Sequence, residues 1–198
     1  MVDFANSQTR ENLMRAFAGE SQARNRYTFA AGLANAQRQY VLERIFLFTA
    51  GQEKEHAEIF YNHLVPCAGE NIAIDGTYPI DIATDMAELL NMARHNETEE
   101  AVNVYPAFAN VARQEGFEAI ARTFEMIAQI ENTHALRFAC YMQYVKDGTL
   151  YRAAQEQAWM CLNCGHILTG MQAPNVCPVC RHEQGYFIRV QEAPYTSQ

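Results

Sequence analysis

Five carboxylates stand at positions where large apolar residues are expected on four long amphipathic stripes, and this limits the fold more than any other feature of the chain. Apolar residues recur at three- and four-residue steps over 7–38, 39–65, 81–113 and 116–146, the period of helices with one buried face. The first stripe runs Leu13, Phe17, Glu20, Tyr27, Ala31, and the second Phe46, Ala50, Glu53, His56, Phe60. The third runs Leu90, Ala93, Glu97, Glu100, Val104, Phe108, and the fourth Phe117, Phe124, Ile127, Glu131, His134, Phe138. An acid three or four residues from such neighbours shares their helix face, so each of these acids points into the core. Burying an unpaired carboxylate costs several kcal/mol, and no lysine or arginine occupies a stripe position as partner. Bound cations are the economical remedy.

The donors also have metal-ligand spacing. Glu53-x-x-His56 and Glu131-x-x-His134 place a carboxylate and an imidazole on one face of two helices, and the other two helices supply Glu20 and a third-helix Glu. One Glu from each of two helices and a Glu-x-x-His from each of two others is the donor set of ferritin-like di-iron and di-manganese bundles. Hard carboxylates with two imidazoles suit iron or manganese, with zinc possible, and Glu53 and Glu131 could bridge two metals. His63, His95, His166 and His182 read as surface histidines. Breakers at Pro66, Gly69, Gly76, Pro79 and Gly116 bound the helices, 66–80 is long enough to cross between non-adjacent ends of a bundle, and Pro106 should kink the third helix.

Four of the six cysteines fall near the C-terminus as Cys161-x-x-Cys164 and Cys177-x-x-Cys180. Two such pairs bring four thiolates to one tetrahedral metal, and a tail of about 40 residues needs that metal because it cannot bury enough surface to fold alone. The expected architecture is therefore an all-α four-helix bundle over 1–146, a linker over 147–157, and a small β-rich metal unit over 158–198. Cys67 reads as a loop thiol and Cys140, beside Phe138 and Tyr141, as a small core residue.

Charge fits this division. The 198 residues carry 23 acids and 15 bases, a net −8, which argues against nucleic-acid or anionic-membrane partners. Residues 1–146 hold 19 acids and 12 bases, so the five stripe acids account for most of the bundle's excess. No apolar run approaches the roughly 18 residues of a membrane span, and 1–10 lacks the apolar stretch of a secretion signal, so a soluble cytoplasmic protein is expected.

Gly19-Glu-Ser-Gln-Ala-Arg-Asn-Arg-Tyr27, Gln52-Glu-Lys-Glu-His56, Tyr105-Pro-Ala-Phe-Ala-Asn-Val-Ala-Arg-Gln-Glu-Gly116 and the paired cysteines resemble the rubrerythrin family along nearly the whole chain. The resemblance implies a ferritin-like bundle with two irons held by Glu20, Glu53, His56, Glu97, Glu100, Glu131 and His134. It also implies a rubredoxin-like iron on Cys161, Cys164, Cys177 and Cys180. The implied activity is reduction of hydrogen peroxide to water in oxidative-stress defence, with electrons relayed through the cysteine-bound iron. Glu100 is then a seventh ligand that exchanges with His56, and Tyr27 and Tyr105 hydrogen-bond ligating carboxylates. The implied partners are an external donor, reduced rubredoxin or an NAD(P)H-dependent reductase, and a second copy in a head-to-tail homodimer. Two departures stand out: Cys180-Arg-His replaces the Cys-Gly of free rubredoxins, and His166 follows the first pair where an aromatic often stands. Two other uses of the same residues remain open at this point: a ferroxidase or iron-storage protein, and a non-enzymatic metal-binding module with a zinc ribbon.

Overall fold

The computed structural model describes residues 2–194. Helices α1 (Gln8–Ala36), α2 (Tyr40–His63), α3 (Met86–Glu99), α4 (Tyr105–Glu115) and α5 (Glu118–Lys146) form the bundle, with α1 packed on α2 and α3 and α4 packed on α5. Local chemistry sets the ends. The Ser7 side chain accepts from the Arg10 amide at 3.1 Å and that of Asp85 from the Glu88 amide at 2.8 Å, each satisfying a first-turn donor. Gly116, at φ 93°, closes α4 in the left-handed conformation that glycine adopts without penalty. No helix of the described residues is long and apolar enough to cross a membrane.

The third stripe differs from the expected single helix over 81–113. It starts at Met86, because 81–85 still belongs to the crossover, and it is interrupted by a π turn over Glu100–Val104. There the Tyr105 amide donates to the Glu100 carbonyl five residues back, and α4 resumes with Pro106 in its first turn, where a missing N–H is tolerated. The expected kink at Pro106 thus takes the form of a widened turn just before it, which shifts the register of α4 relative to α3.

The crossover, residues 68–85, has no helix or strand and lies along α1. Arg15 Nε donates to the Asp75 carbonyl at 3.0 Å, Arg26 pairs with Asp81, and Gln37 Nε2 donates to the Thr84 carbonyl at 2.8 Å. These clips fall at residues 15, 26 and 37, 11 apart and about three helical turns, so one face of α1 and its C-cap residue carry the strap.

Strands β1 (Arg152–Cys161), β2 (Ile167–Gln172) and β3 (Phe187–Arg189) form an antiparallel sheet in the order β2-β1-β3. Its core is Trp159, Cys161, Ala173, Cys177 and Phe187, and Trp159 Nε1 donates to the Gly170 carbonyl at 3.0 Å. Strand β1 begins inside the stretch 147–157, where Arg189 donates to the Thr149, Leu150 and Arg152 carbonyls. Residues 195–198 of the expected tail lie outside the described residues. The tail docks on the bundle's α1–α2 end. Tyr186 stacks on Tyr40 at 4.1 Å between centroids, Arg38 pairs with Glu183 at 3.3 Å, and Ile188 enters the bundle core.

One cysteine expectation is corrected. Cys140 is exposed rather than in the core: it lies two residues past Phe138, about 200° around the helix from that buried face. Cys67 is buried in the 3₁₀ turn Val65–Cys67 that opens the crossover. Of the histidines read as surface, His95 is exposed, while His63, His166 and His182 are half-buried.

Candidate metal centres

Helix period alone carries Glu20 into the bundle from α1, Glu53 and His56 from α2, Glu97 from α3, and Glu131 and His134 from α5; none is more than 4% exposed. They gather into two quartets. Glu20, Glu53, His56 and Glu131 form one and Glu53, Glu97, Glu131 and His134 the other, each with its donor atoms within 4.8 Å of one another. Glu53 and Glu131 belong to both. Each turns one oxygen to each histidine: His56 Nδ1 lies 2.8 Å from Glu131 Oε1 and 3.2 Å from Glu53 Oε2, and His134 Nδ1 lies 2.8 Å from Glu131 Oε2 and 3.0 Å from Glu53 Oε1. The two imidazoles stand nearly parallel, 14° apart.

These contacts are not a satisfied hydrogen-bond network. Glu20 Oε2, Glu53 Oε1, Glu97 Oε2, both Glu131 oxygens and His134 Nδ1 are buried without a hydrogen-bond partner. Orphaned polar atoms at this density are costly unless a ligand takes them. A cation with bonds of about 2.0–2.2 Å sets donors at right angles about 3 Å apart, which is the spacing found here. The outer oxygens of the acids are held from behind: Tyr27 OH donates to Glu97 and Tyr105 OH to Glu20, and both phenols are buried. On the far side of His134, Nε2 lies 3.1 Å from Gln52 Oε1, which also accepts from Arg137 Nη1 at 3.1 Å.

Electrostatics agree. Burial, then the neighbouring Glu131 and Glu53, pushes the Glu20 carboxyl well above the usual carboxylate range; burial and then Glu53 does the same for Glu97. Burial would also raise Glu53, but the imidazoles of His134 and His56 outweigh it and hold the carboxyl at about 2. Burial opposes the charge of both histidines, yet the carboxylates around them lift His56 to about 9 and His134 to about 12. A cluster that raises acids and histidines together has too little positive charge for its carboxylates, and two divalent cations supply it.

Glu100 stands apart. It belongs to neither quartet and its carboxylate makes no hydrogen bond or ion pair among the described residues, although burial and then Glu131 and Glu53 push it to about 8. It is half-buried at the edge of an 870 Å³ cavity.

In the tail, Cys161, Cys164, Cys177 and Cys180 converge. The Sγ atoms of Cys161 and Cys180, and of Cys164 and Cys177, are 3.7 Å apart, far beyond a disulfide and close to the edge of about 3.8 Å that a metal–sulfur bond of about 2.3 Å gives a tetrahedron. Two matched knuckles present them. The Cys161 amide donates to the His166 carbonyl at 2.9 Å and the Cys177 amide to the His182 carbonyl at 2.8 Å, with Gly165 and Arg181 both left-handed at φ 76° and 65°. The backbone amide of His182 holds the Cys180 thiol down at about 5, whereas burial pushes Cys161 up to about 12.

The hydrogen bonds of Gln52 and Arg137 were missed in the sequence, where Gln52 is only the residue before a ligand. Its helix position, one residue and about 100° from the stripe at Glu53, was the available clue.

A four-helix bundle with two carboxylate–histidine quartets sharing two acids, followed by a tetracysteine unit, defines a ferritin-like protein whose bundle fits a di-iron site and whose tail fits a rubredoxin-like iron. The chain matches the rubrerythrin family over 11–142 and the rubrerythrin rubredoxin-like domain over 159–188. It is 42% identical to a rubrerythrin of Porphyromonas gingivalis, over 91% of this chain and 89% of that one. It is 41% identical to a rubrerythrin of Clostridium perfringens, over 94% and 96%. Among solved structures, partially reduced nigerythrin superposes with a TM-score of 0.62 at 26% identity, over 96% of this chain and 91% of that one. The chain belongs to the rubrerythrin family, known for di-iron peroxidase-type function.

Proposed function

We propose that this chain is a non-haem di-iron peroxidase that reduces hydrogen peroxide to water, with electrons passed through the tetracysteine iron. The observation that carries the reading is the sharing of Glu53 and Glu131 by both quartets, which supports two metals bridged by two carboxylates. Glu20 and His56 complete one position, and Glu97 and His134 the other. Bound there, an iron pair would supply the two electrons that break the O–O bond, to be restored singly through the tail. The chain provides the rest. Tyr27 and Tyr105 orient Glu97 and Glu20, and Gln52 with Arg137 fixes the His134 ring. His56 has no such outer partner among the described residues, and the unanchored Glu100 carboxylate could serve as the seventh ligand that exchanges with it. Phe46, Phe60, Phe124 and Phe138, all fully buried, keep bulk water from the centre.

Electron delivery favours a partner subunit. Tyr186 of the tail stacks on Tyr40, and Glu53 lies 13 residues further along α2, about 20 Å at 1.5 Å per residue. That span is long for one electron step within a chain and supports transfer between copies in a head-to-tail homodimer, served by reduced rubredoxin or an NAD(P)H-dependent reductase. We divide the chain into the bundle (1–146), a linker (147–157) whose last six residues already belong to β1, and the tail (158–198), and place the protein in the cytoplasm. Anaerobic peroxide consumption with a one-electron reductant tests the reading. Wild-type protein should turn over, Glu100→Ala and Cys161→Ser should each slow it, and unchanged turnover in both refutes the scheme.

A further inference from the structure

The metal-binding acids and histidines are sealed inside the bundle, yet a substrate must reach them. The cavities of 350, 610 and 260 Å³ elsewhere on the molecule touch none of the seven residues. The 870 Å³ cavity does. Its floor includes Glu100 and Tyr105, the latter donating its phenol hydrogen to Glu20, and its wall includes Asn96 and Phe108. Its other wall is the crossover strap over 75–79.

The strap is held at that point by side chains, not by backbone pairing. Arg15 Nη2 meets Asp75 Oδ1 at 2.5 Å, and Tyr78 OH donates to the Arg15 carbonyl at 3.1 Å. The Tyr78 ring lies over Gly19, where an added Cβ would be 3.7 Å from Cε1, and folds back against Gly76, where an added Cβ would sit 3.1 Å from the phenol oxygen. Gly76 thus makes room for the ring against the strap, and the ring rests in ordinary contact with Gly19. Tyr78 is 40% exposed and lines the cavity, so it stands between solvent and the cavity. The π turn that begins at Glu100 lies on the floor, where it shifts the register of Tyr105 relative to Glu100, and both residues line the cavity.

We propose that this cavity is the port through which hydroperoxides reach the dinuclear centre at its Glu100 edge, and that Tyr78 is the specificity-determining residue that restricts it to small ones. The port rests on the peroxidase reading for its substrate. For an organic hydroperoxide the balance is the same as for hydrogen peroxide: the O–O bond breaks, two electrons enter singly from an external one-electron donor through the tail, two protons are taken from solvent, and an alcohol and water leave. Only size separates the two.

The test uses iron-loaded full-length protein. Steady-state kcat/KM is measured for hydrogen peroxide and cumene hydroperoxide in wild type, Tyr78→Ala and Tyr78→Phe. Association of azide and of bulky benzohydroxamate with the oxidised centre is followed in parallel by visible absorbance. Losing the ring should raise the cumene-to-hydrogen-peroxide ratio roughly tenfold or more, the scale on which pocket size discriminates. It should also bring benzohydroxamate association towards that of azide. Tyr78→Phe keeps the ring and should leave both near wild type. If Tyr78→Ala, folded by circular dichroism and with full iron content, leaves both the ratio and the relative association rates unchanged, the port assignment is overturned. If no peroxide is consumed by any form but Tyr78→Ala still speeds benzohydroxamate, the peroxidase reading fails and the port stands.

Discussion

Replacing Tyr105 with phenylalanine removes one oxygen atom from a fully packed core and should weaken only one of the two metals. The ring keeps its neighbours, Phe60 at 5.4 Å and Phe124 at 5.9 Å, so no cavity opens and packing loss is negligible. What disappears is the phenol hydrogen bond to Glu20, an acid that belongs to the first quartet and not the second. A hydrogen bond to a charged group contributes about 1.5–3 kcal/mol, which is roughly a ten- to hundredfold loss in affinity for the metal on Glu20 and His56. Tyr27→Phe is the mirror experiment. Its ring stays against Phe138 at 5.1 Å, and its lost partner, Glu97, belongs only to the second quartet. Titration of the loaded bundle with a competing chelator should show two release steps, the first moved by one variant and the second by the other. Both variants shifting both steps equally, or neither shifting any, would refute the assignment of one outer tyrosine to each position.

Other consequences are independent of that pair. Cys161→Ser should abolish the visible absorption of the iron-loaded tail and loosen the sheet, seen as faster amide exchange over β1–β3, while helical circular dichroism stays, because the bundle core does not include the cysteines. Gly185→Ala would put a Cβ 2.0 Å from the Arg38 carbonyl, a backbone atom that cannot swing away, and should cost about 1–3 kcal/mol in docking of the tail, measured as a lower melting temperature and greater protease sensitivity near 147–152. Arg181→Gly relieves a left-handed non-glycine residue at φ 65° and should stabilise the second knuckle by about 1 kcal/mol, read as slower loss of the tail's metal to chelator. Burial lowers the pKa of His63 below its ordinary 6.5, so its contribution to stability is complete above pH 6.5 and is lost as pH falls through the lower folded value. His63→Gln should therefore flatten the acid side of the melting-temperature profile below pH 6.5 and leave the alkaline side unchanged.

Much of the candidate centre was legible because helix period is a local property. Glu20, Glu53, His56, Glu97, Glu131 and His134 could be placed inside the bundle from their apolar neighbours alone, and the structure buries all six. Glu100 shows the limit. Helix period puts it on the same stripe as Glu97, yet its carboxylate lies outside both quartets and lines the cavity, and nothing in Glu100–Val104 marks the five-residue wrap that follows it except the proline after it. Cys140 shows the reverse error, since being adjacent to buried residues in sequence says little about sharing their face. The matched knuckles were half visible: Cys-x-x-Cys spacing foretold the cluster, while the left-handed turn at Arg181, where glycine is the easier residue, was not anticipated.

The order of residues by itself determined how many donors there are, of which kind, and on which helix faces, because charge, ligand chemistry and a 3.6-residue period do not depend on distant contacts. Only the tertiary structure decided that Glu53 and Glu131 turn one oxygen to each histidine, that each outer tyrosine serves a single position, and that the 68–85 strap lays Tyr78 across a cavity reaching Glu100. Those relations are distances of a few ångströms between segments 50 to 90 residues apart in the chain, set by how helices pack and by where a handful of side-chain clips hold a strap that has no regular structure of its own.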